Sequence, residues 1–222
     1  MTEIKLVKNV LSKNDELAAA LRRQFAQRRL LVLNLLSSPG SGKTTLLEQT
    51  ARTLAKSVRM AVIEGDLQTE RDADRIRALG VKAVQINTGR GCHLDAAMVG
   101  NALARLDIDG LDVLFIENVG NLVCPAGFDL GEDFAVLLIS VPEGDDKAAK
   151  YPIAFLKADF LLLNKIDLAP FTNFSTERFK MDVSRIKPTL QMIELSCTQG
   201  KGLEDWYEWL QTRISNKRNA TS

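Results

Sequence analysis

Histidine is nearly missing from this chain. Of 222 residues, one is histidine (His93), three are cysteine (Cys92, Cys124 and Cys197), and only 6% are aromatic. Three cysteines, an odd number at low density, argue against a disulfide-stapled secreted fold. A single histidine excludes a histidine-rich metal store. An excess of either charge is also lacking, since Lys+Arg 29 against Asp+Glu 28 leaves a formal net charge of +1. No nucleic-acid or membrane partner held by bulk electrostatics is therefore expected. Long apolar runs are absent as well. The longest, 30–36 and 134–141, fall far short of the roughly 20 residues that cross a bilayer. The first sixteen residues have no continuous apolar stretch of the secretory type, so the cytoplasm is the expected setting.

What remains is an ordinary globular composition, 45% apolar and 26% charged, long enough for one sizeable core. Segment 15–29 reads as a leading amphipathic helix with Leu17, Leu21 and Phe25 on one face. Short β-rich runs follow at 30–36, 58–64, 81–86, 112–117, 134–141, 160–163 and 190–195. Helix-like stretches lie between most of them, at 43–56, 69–79, 94–106, 146–157, 176–187 and 203–214. Strands that are apolar throughout are covered on both faces. The expectation is an α/β fold: a doubly wound, mainly parallel sheet of about seven strands in a single domain spanning 30–214. A helical segment, 1–29, precedes it and a polar tail, 215–222, is expected to fray.

The first strand runs into Ser37-Ser38-Pro39-Gly40-Ser41-Gly42-Lys43-Thr44-Thr45, directly before a helix. This is the setting of a phosphate-binding P-loop. Gly40 and Gly42 let the backbone N–H groups of the loop, Ser41 and Thr45 included, turn toward phosphate oxygens. The helix N-terminus adds its dipole. Lys43 would neutralise the β- and γ-phosphates and the Thr44 hydroxyl would bind Mg²⁺. Ser37 stands where the motif has its first glycine. The competing reading is a Gly/Ser-rich turn that binds nothing. Asp66 and Glu117 follow or end strands at the edge of a parallel sheet where ligands bind. Either they serve the Mg²⁺ site or they cap the next helix. Glu117-Asn118-Val119-Gly120 is similar to the Asp-x-x-Gly switch of GTPases, which would give the Gly120 N–H a view of the γ-phosphate.

Base choice comes from Asn164-Lys165-Ile166-Asp167, after the run 160–163. A carboxylate there accepts two hydrogen bonds from a guanine edge, and adenine lacks that donor pair. Ser196 and Cys197, after the last strand, would form a supporting base-contact loop, with Cys197 either lining it or simply packing. Residue 121 is Asn rather than a water-orienting Gln, and no arginine finger can be assigned. Intrinsic GTP hydrolysis is therefore expected to be slow.

The lone histidine lies in Gly89-Arg90-Gly91-Cys92-His93-Leu94-Asp95, and Cys124 lies just past the switch element. Both loops leave the sheet edge that carries the P-loop. Cys92, beside a helix N-terminus, would have its thiolate favoured. Two readings stand: Cys92, His93 and Cys124 converge as soft metal ligands, or they are small buried thiols beside a turn-capping histidine. Three ligands under-fill a tetrahedral or square-planar site. Two chains about a two-fold axis would complete it.

Together with Glu64-Gly65-Asp66 and Asn121-Leu122-Val123-Cys124-Pro125, these motifs resemble the HypB family of nickel-incorporation GTPases, maturation factors of nickel–iron hydrogenases. The resemblance spans about 32–209. It implies a SIMIBI-class P-loop GTPase that binds GTP/GDP and forms a homodimer around nucleotide. Lys43, Asp66 and Glu117 would be its catalytic residues, with Mg²⁺ at Thr44, Asp66 and Glu117. It further implies Ni²⁺ and/or Zn²⁺ held by Cys92, His93 and Cys124 across the dimer. In the stretch from Val141 to Pro152, Lys150 matches the lysine that reaches the partner's nucleotide. The implied partners are a HypA-type metallochaperone, met through the segment before the P-loop, and the hydrogenase large subunit. Some members carry a cysteine-rich N-terminal motif or a histidine tract. This sequence has neither, so nickel storage is not expected. Two other functions compete: a maturation GTPase for a urease or cobalamin system, and a metal-binding scaffold with little turnover. The apolar segment 168–174 is either a dimer contact or a covered loop.

Overall fold

Seven residues without a gap in their burial, Leu31–Ser37, make β1 the spine of the molecule. The computed structural model describes residues 2–66, 71–89 and 91–220, with side chains from Leu11 onward. Six more strands join β1: β2 (Met60–Asp66), β3 (Lys82–Asn87), β4 (Val113–Glu117), β5 (Phe134–Ser140), β6 (Phe160–Asn164) and β7 (Gln191–Glu194). All pairings are parallel, in the order β3-β2-β4-β1-β5-β6-β7. The expected seven-strand, doubly wound sheet is therefore the observed one.

Alternate residues of each central strand face opposite layers, as the two-residue period of a strand demands. Leu31, Leu33 and Leu35 pack with α2 (Lys43–Leu54), α3 (Arg71–Arg77) and α8 (Leu203–Asn219) on one face. On that face Trp206 is fully buried and donates its indole N–H to Thr50 Oγ1 at 3.0 Å, tying α8 to α2. On the other face, Val32, Ile63 and Ile116 meet α1 (Thr2–Gln27) and α4 (Ala96–Leu103). Leu137, Ile139 and Leu163 meet α6 (Pro152–Lys157) and α7 (Thr176–Ile186).

Three expectations need correction. First, α1 begins at Thr2, and from Ala18 to Phe25 it is built into the core rather than standing before it. Its inward face is Ala18, Leu21 and Phe25, while Leu17 is exposed. Second, the helix expected over 146–157 is two: α5 (Lys147–Lys150) and α6, broken at Tyr151 because Pro152 lacks the N–H that would continue it. The start of the helix expected at 69–79 lies outside the described residues. Third, the tail expected to fray from Ser215 continues α8 to Asn219.

Two ion pairs explain the last point. Lys217 Nζ lies 2.5 Å from Asp133 Oδ1, and Arg218 Nη2 lies 2.6 Å from Asp112 Oδ1. Asp112 is buried and also bound by Arg59 at 3.0 Å. Burial pushes the Asp112 carboxyl up, but the two arginines outweigh it and hold it below the usual carboxylate range. Deleting residues 215–222 should therefore cost about 1–2 kcal/mol rather than nothing. The urea midpoint of unfolding checks this.

Candidate functional site

Every candidate residue from the P-loop, the switch and the base loops lies at the C-terminal edge of the sheet, on connections leaving β1, β2, β4, β5, β6 and β7. A cleft of about 390 Å³ opens there, lined by Gly40, Gly42, Lys43, Thr44, Thr45, Asp66, Glu117 and Gly120 among others. Gly42, with φ +105°, caps α2, and a Cβ added to it would lie 2.5 Å from Asn164 Nδ2. Only glycine fits. Gly120 has its own close approach, since a Cβ there would sit 2.9 Å from Pro39. The loop after β4 thus rests directly on the P-loop.

Lys43 is buried and donates to Ser37 Oγ at 2.8 Å. The serine that replaces the first motif glycine therefore gives the lysine a neutral resting partner. Thr44 Oγ1 donates to Glu117 Oε1 at 2.9 Å. Ser41 Oγ donates to Glu143 Oε1 at 2.7 Å, and Glu143 also receives the backbone N–H of Ser140 at 2.8 Å. Sequence reasoning assigned no separate role to Glu64. It pairs in register with Glu117 across β2 and β4 and is buried beside it. Burial, then the Glu117 charge, pushes the Glu64 carboxyl far above its ordinary range, and burial likewise raises Glu117. Glu64 Oε2 and Glu117 Oε2 are buried without a hydrogen-bond partner. Two adjacent desolvated carboxylates with unspent lone pairs, beside the Thr44 hydroxyl, fit a divalent cation. The signal was present in the sequence: both Ala61-Val62-Ile63-Glu64 and Leu114-Phe115-Ile116-Glu117 end an apolar run in Glu. Asp66 lines the same cleft, and its carbonyl accepts from the Thr88 N–H at 3.0 Å.

The base loops are stitched to the P-loop. Asn164 Nδ2 donates to the Ser41 carbonyl at 2.8 Å, while its Oδ1 accepts the Cys197 N–H at 3.1 Å. Lys165, in a left-handed conformation at φ 60°, reaches the Gly40 carbonyl at 2.7 Å. Asp167 Oδ1 is buried and unpartnered. Ser196 is buried and accepts the Gln199 N–H at 3.2 Å. Between the two readings of Cys197, its thiol belongs to packing: it sits in the core with Leu195 and Leu203, and burial pushes it up to about 12.

Cys92, His93 and Cys124 converge, with their ligating atoms within 4.8 Å of one another. Arg90, in the same loop, lies outside the described residues. Cys92 Sγ stands 3.7 Å from His93 Nδ1. The His93 ring stacks on Phe128 with centroids 3.9 Å apart. Burial lowers the imidazole's pKa, which favours the neutral, ligating form. The neighbouring Cys124 thiol, and then burial, push the Cys92 thiol up from its ordinary value, opposite in direction to the thiolate preference expected beside a helix N-terminus. Nor does Cys92 cap α4. Asp95 does, accepting the Met98 N–H at 2.8 Å, and it takes the helix terminus for itself.

A buried polar chain joins this cluster to the switch. Asn118, one residue after Glu117, accepts the Leu94 N–H at 3.1 Å and donates to Asn34 Oδ1 at 3.2 Å. Asn34 in turn donates to Glu132 Oε1 at 3.3 Å. Leu94 directly follows His93. Lys150 lies apart from these groups in α5, exposed and paired with Asp146 at 2.5 Å. In segment 168–174, Phe171 is 83% exposed, while Ala169 and Phe174 pack against the core.

The family model for the CobW/HypB/UreG nucleotide-binding domain matches residues 31–194. Hydrogenase maturation factor HypB of Escherichia coli strain K12 is 53% identical over 213 residues, 96% of this chain and 73% of that protein. The hydrogenase/urease maturation factor HypB of Helicobacter pylori is 46% identical, covering 94% and 87%. A crystal structure of HypB from Helicobacter pylori in complex with nickel superposes with a TM-score of 0.88 at 43% identity, covering 95% of this chain and 99% of that one.

Proposed function

The chain belongs to the CobW/HypB/UreG nucleotide-binding family, among its HypB hydrogenase maturation factors, and we propose that it is a GTP-hydrolysing switch that gates Ni²⁺ delivery to the hydrogenase large subunit. One observation carries the reading. The loop that leaves Glu117 at the nucleotide cleft is the loop that ends at Cys124, and Asn118 within it holds the backbone next to His93. A change around the γ-phosphate therefore moves a metal ligand by a path of a few residues.

In this proposal Gly40, Ser41, Gly42, Thr45 and Gly120 offer backbone N–H groups to the phosphates. Lys43 leaves Ser37 to meet the β- and γ-phosphates. Asn164, Lys165 and Asp167 read guanine, with the 196–197 loop supporting the base through its backbone. Thr44, Glu117, Asp66 and Glu64 form the Mg²⁺ site. Bound there, Mg²⁺ neutralises charge on the transferring phosphoryl group and orients it. Asn121, committed to the Cys92 carbonyl at 3.5 Å and the Val123 N–H at 2.8 Å, is not disposed to orient water. Slow turnover follows. Cys92, His93 and Cys124 hold Ni²⁺ or Zn²⁺, and a second copy of the chain completes the coordination. The exposed Phe171 and Leu168 fit a place in that homodimer, and Lys150 is free to swing from Asp146 toward a partner's nucleotide. A HypA-type chaperone is the proposed source or recipient of the metal. The relative named for both hydrogenase and urease maturation supports a second reading, in which the same switch also serves a urease.

The deciding measurement is Ni²⁺ affinity with GDP and with a non-hydrolysable GTP analogue, each with Mg²⁺. A difference of about fivefold or more is expected for coupling of ordinary strength. Equal affinities would remove the switch. A second measurement addresses Glu64. Glu64→Gln relieves a desolvated carboxylate pair, so the thermal midpoint in EDTA should rise. The Mg²⁺ concentration needed for GTP binding should rise too, about tenfold. A fall in midpoint with unchanged Mg²⁺ demand would assign Glu64 to packing.

A further inference from the structure

The metal loop is pinned from two sides by asparagines, Asn118 and Asn121 on the switch side and Asn14 on the other. Asn118 takes the Leu94 N–H. Two residues on, the Ala96 N–H goes to Asn14 Oδ1 at 2.9 Å, and Asn14 belongs to α1, 82 positions away. The other end of the same amide, Asn14 Nδ2, donates to the Asp129 carbonyl at 2.9 Å. Asp129 directly follows Phe128, the ring on which His93 stacks. One buried side chain, 5% exposed, therefore fixes both halves of the histidine's surroundings: the backbone after the imidazole and the aromatic ring beneath it. Arg22, two helical turns further along α1, closes the same connection by pairing with Asp129 at 2.7 Å.

A buried asparagine is costly unless both ends of its amide are satisfied. Here both partners lie on segments that frame the cysteine–histidine cluster, and neither Ala96 nor Asp129 lines the nucleotide cleft. We infer that Asn14 is a positioning residue for the Ni²⁺ site, setting the His93–Phe128 stack, and that α1 is thereby a second lever on the metal, separate from the nucleotide. The inference rests on the reading of Cys92, His93 and Cys124 as the Ni²⁺ ligands. Any contact that shifts α1 along its axis shifts the Ala96 and Asp129 backbone together. The Leu94 tie to Asn118 stays with the switch.

The test compares Ni²⁺ titrations of the full-length wild type, Asn14→Ala, Asn14→Asp and Phe25→Leu, read by calorimetry and by the thiolate-to-nickel charge-transfer band, with GDP affinity alongside. Asn14→Ala should weaken Ni²⁺ binding about tenfold and shift the band, because both backbone supports of the His93–Phe128 stack are released. GDP affinity should stay unchanged. Asn14→Asp keeps the acceptor for Ala96 but not the donor for Asp129, so a smaller loss of about threefold is expected. It carries the test if the alanine variant fails to fold. Phe25→Leu loosens the same helix in the core without touching either hydrogen bond, and should leave the band in place. The inference is overturned if both Asn14 variants bind Ni²⁺ like wild type, or if Phe25→Leu weakens binding as much as they do. Wild type binding no better than Cys124→Ala would instead remove the ligand assignment beneath it.

Discussion

Asp167→Asn should reduce GDP affinity by about 100-fold or more and, in the same protein, create affinity for xanthosine diphosphate. Asp167 sits in the short 3-10 turn that follows β6, directly after the left-handed Lys165. Its neighbours are immobilised: Lys165 on the Gly40 carbonyl, Asn164 on Ser41 and Cys197. Its own Oδ1 is buried and unspent, which is an expensive arrangement unless a ligand donates to it. Guanine presents two donors side by side, the ring N–H and the amino group, and a carboxylate accepts both. An asparagine amide turns one acceptor into a donor, which opposes the amino group but suits the carbonyl that xanthine carries there. A charged, two-point hydrogen bond is replaced by one bond and one clash, hence about 3 kcal/mol. Competition binding with guanosine and xanthosine diphosphates reads the outcome. If GDP binding survives within about tenfold and the xanthine nucleotide gains nothing, base reading belongs elsewhere.

The sheet was legible because its central strands are apolar without alternation, the pattern of strands buried on both faces, and short enough to alternate with helical stretches; the edge strands β3 and β7 are only partly buried. Each of the seven expected strands lies within a few residues of its place. The P-loop was legible because its glycines do geometric work, at Gly42 above all. Where the sequence misled, the cause was an interaction between distant segments. Nothing local in Ser215–Asn219 indicates a helix; Asp112 and Asp133, some eighty residues or more away, hold it there. Leu17 fits a helical stripe, but the face that meets α4 is rotated toward Ala18 and Leu21. Cys92 reads in the sequence as a helix-stabilised thiolate, but Asp95 occupies that terminus and the neighbouring Cys124 thiol pushes Cys92 up. Asn14, Asn34 and Asn118 are invisible in the same way. An isolated asparagine carries no pattern, and only the fold shows that Asn14 and Asn118 hold the metal loop while Asn34 supports Asn118. Tyr151-Pro152 is the opposite case, since the proline was a local stop signal inside an otherwise helical stretch.

Cys124→Ala should lower Ni²⁺ affinity by about 100-fold or more while leaving nucleotide binding intact. The cluster offers three ligands per chain within 4.8 Å, and the substitution removes one of two thiolates. If a second chain completes the site, each dimer loses two. Cys124 immediately precedes the 3-10 turn Pro125–Gly127 and is four residues from Gly120, so it is also the ligand most directly tied to the switch. Whatever residual Ni²⁺ binding survives through Cys92 and His93 should therefore no longer distinguish GDP from a GTP analogue. Cys197→Ala is the matched control. It also removes a thiol close to the nucleotide edge, but that thiol lies in the core, so the expected cost is about 1 kcal/mol of stability and no change in Ni²⁺ affinity. Equal loss of Ni²⁺ binding in both variants would mean that thiols in general, and not this cluster, bind the metal. Retained affinity in Cys124→Ala would leave Cys92 and His93 as a two-ligand surface site with no route to the nucleotide. Loss of affinity with the nucleotide difference still present would place the coupling on Asn118 and the Leu94 backbone rather than on the thiolate.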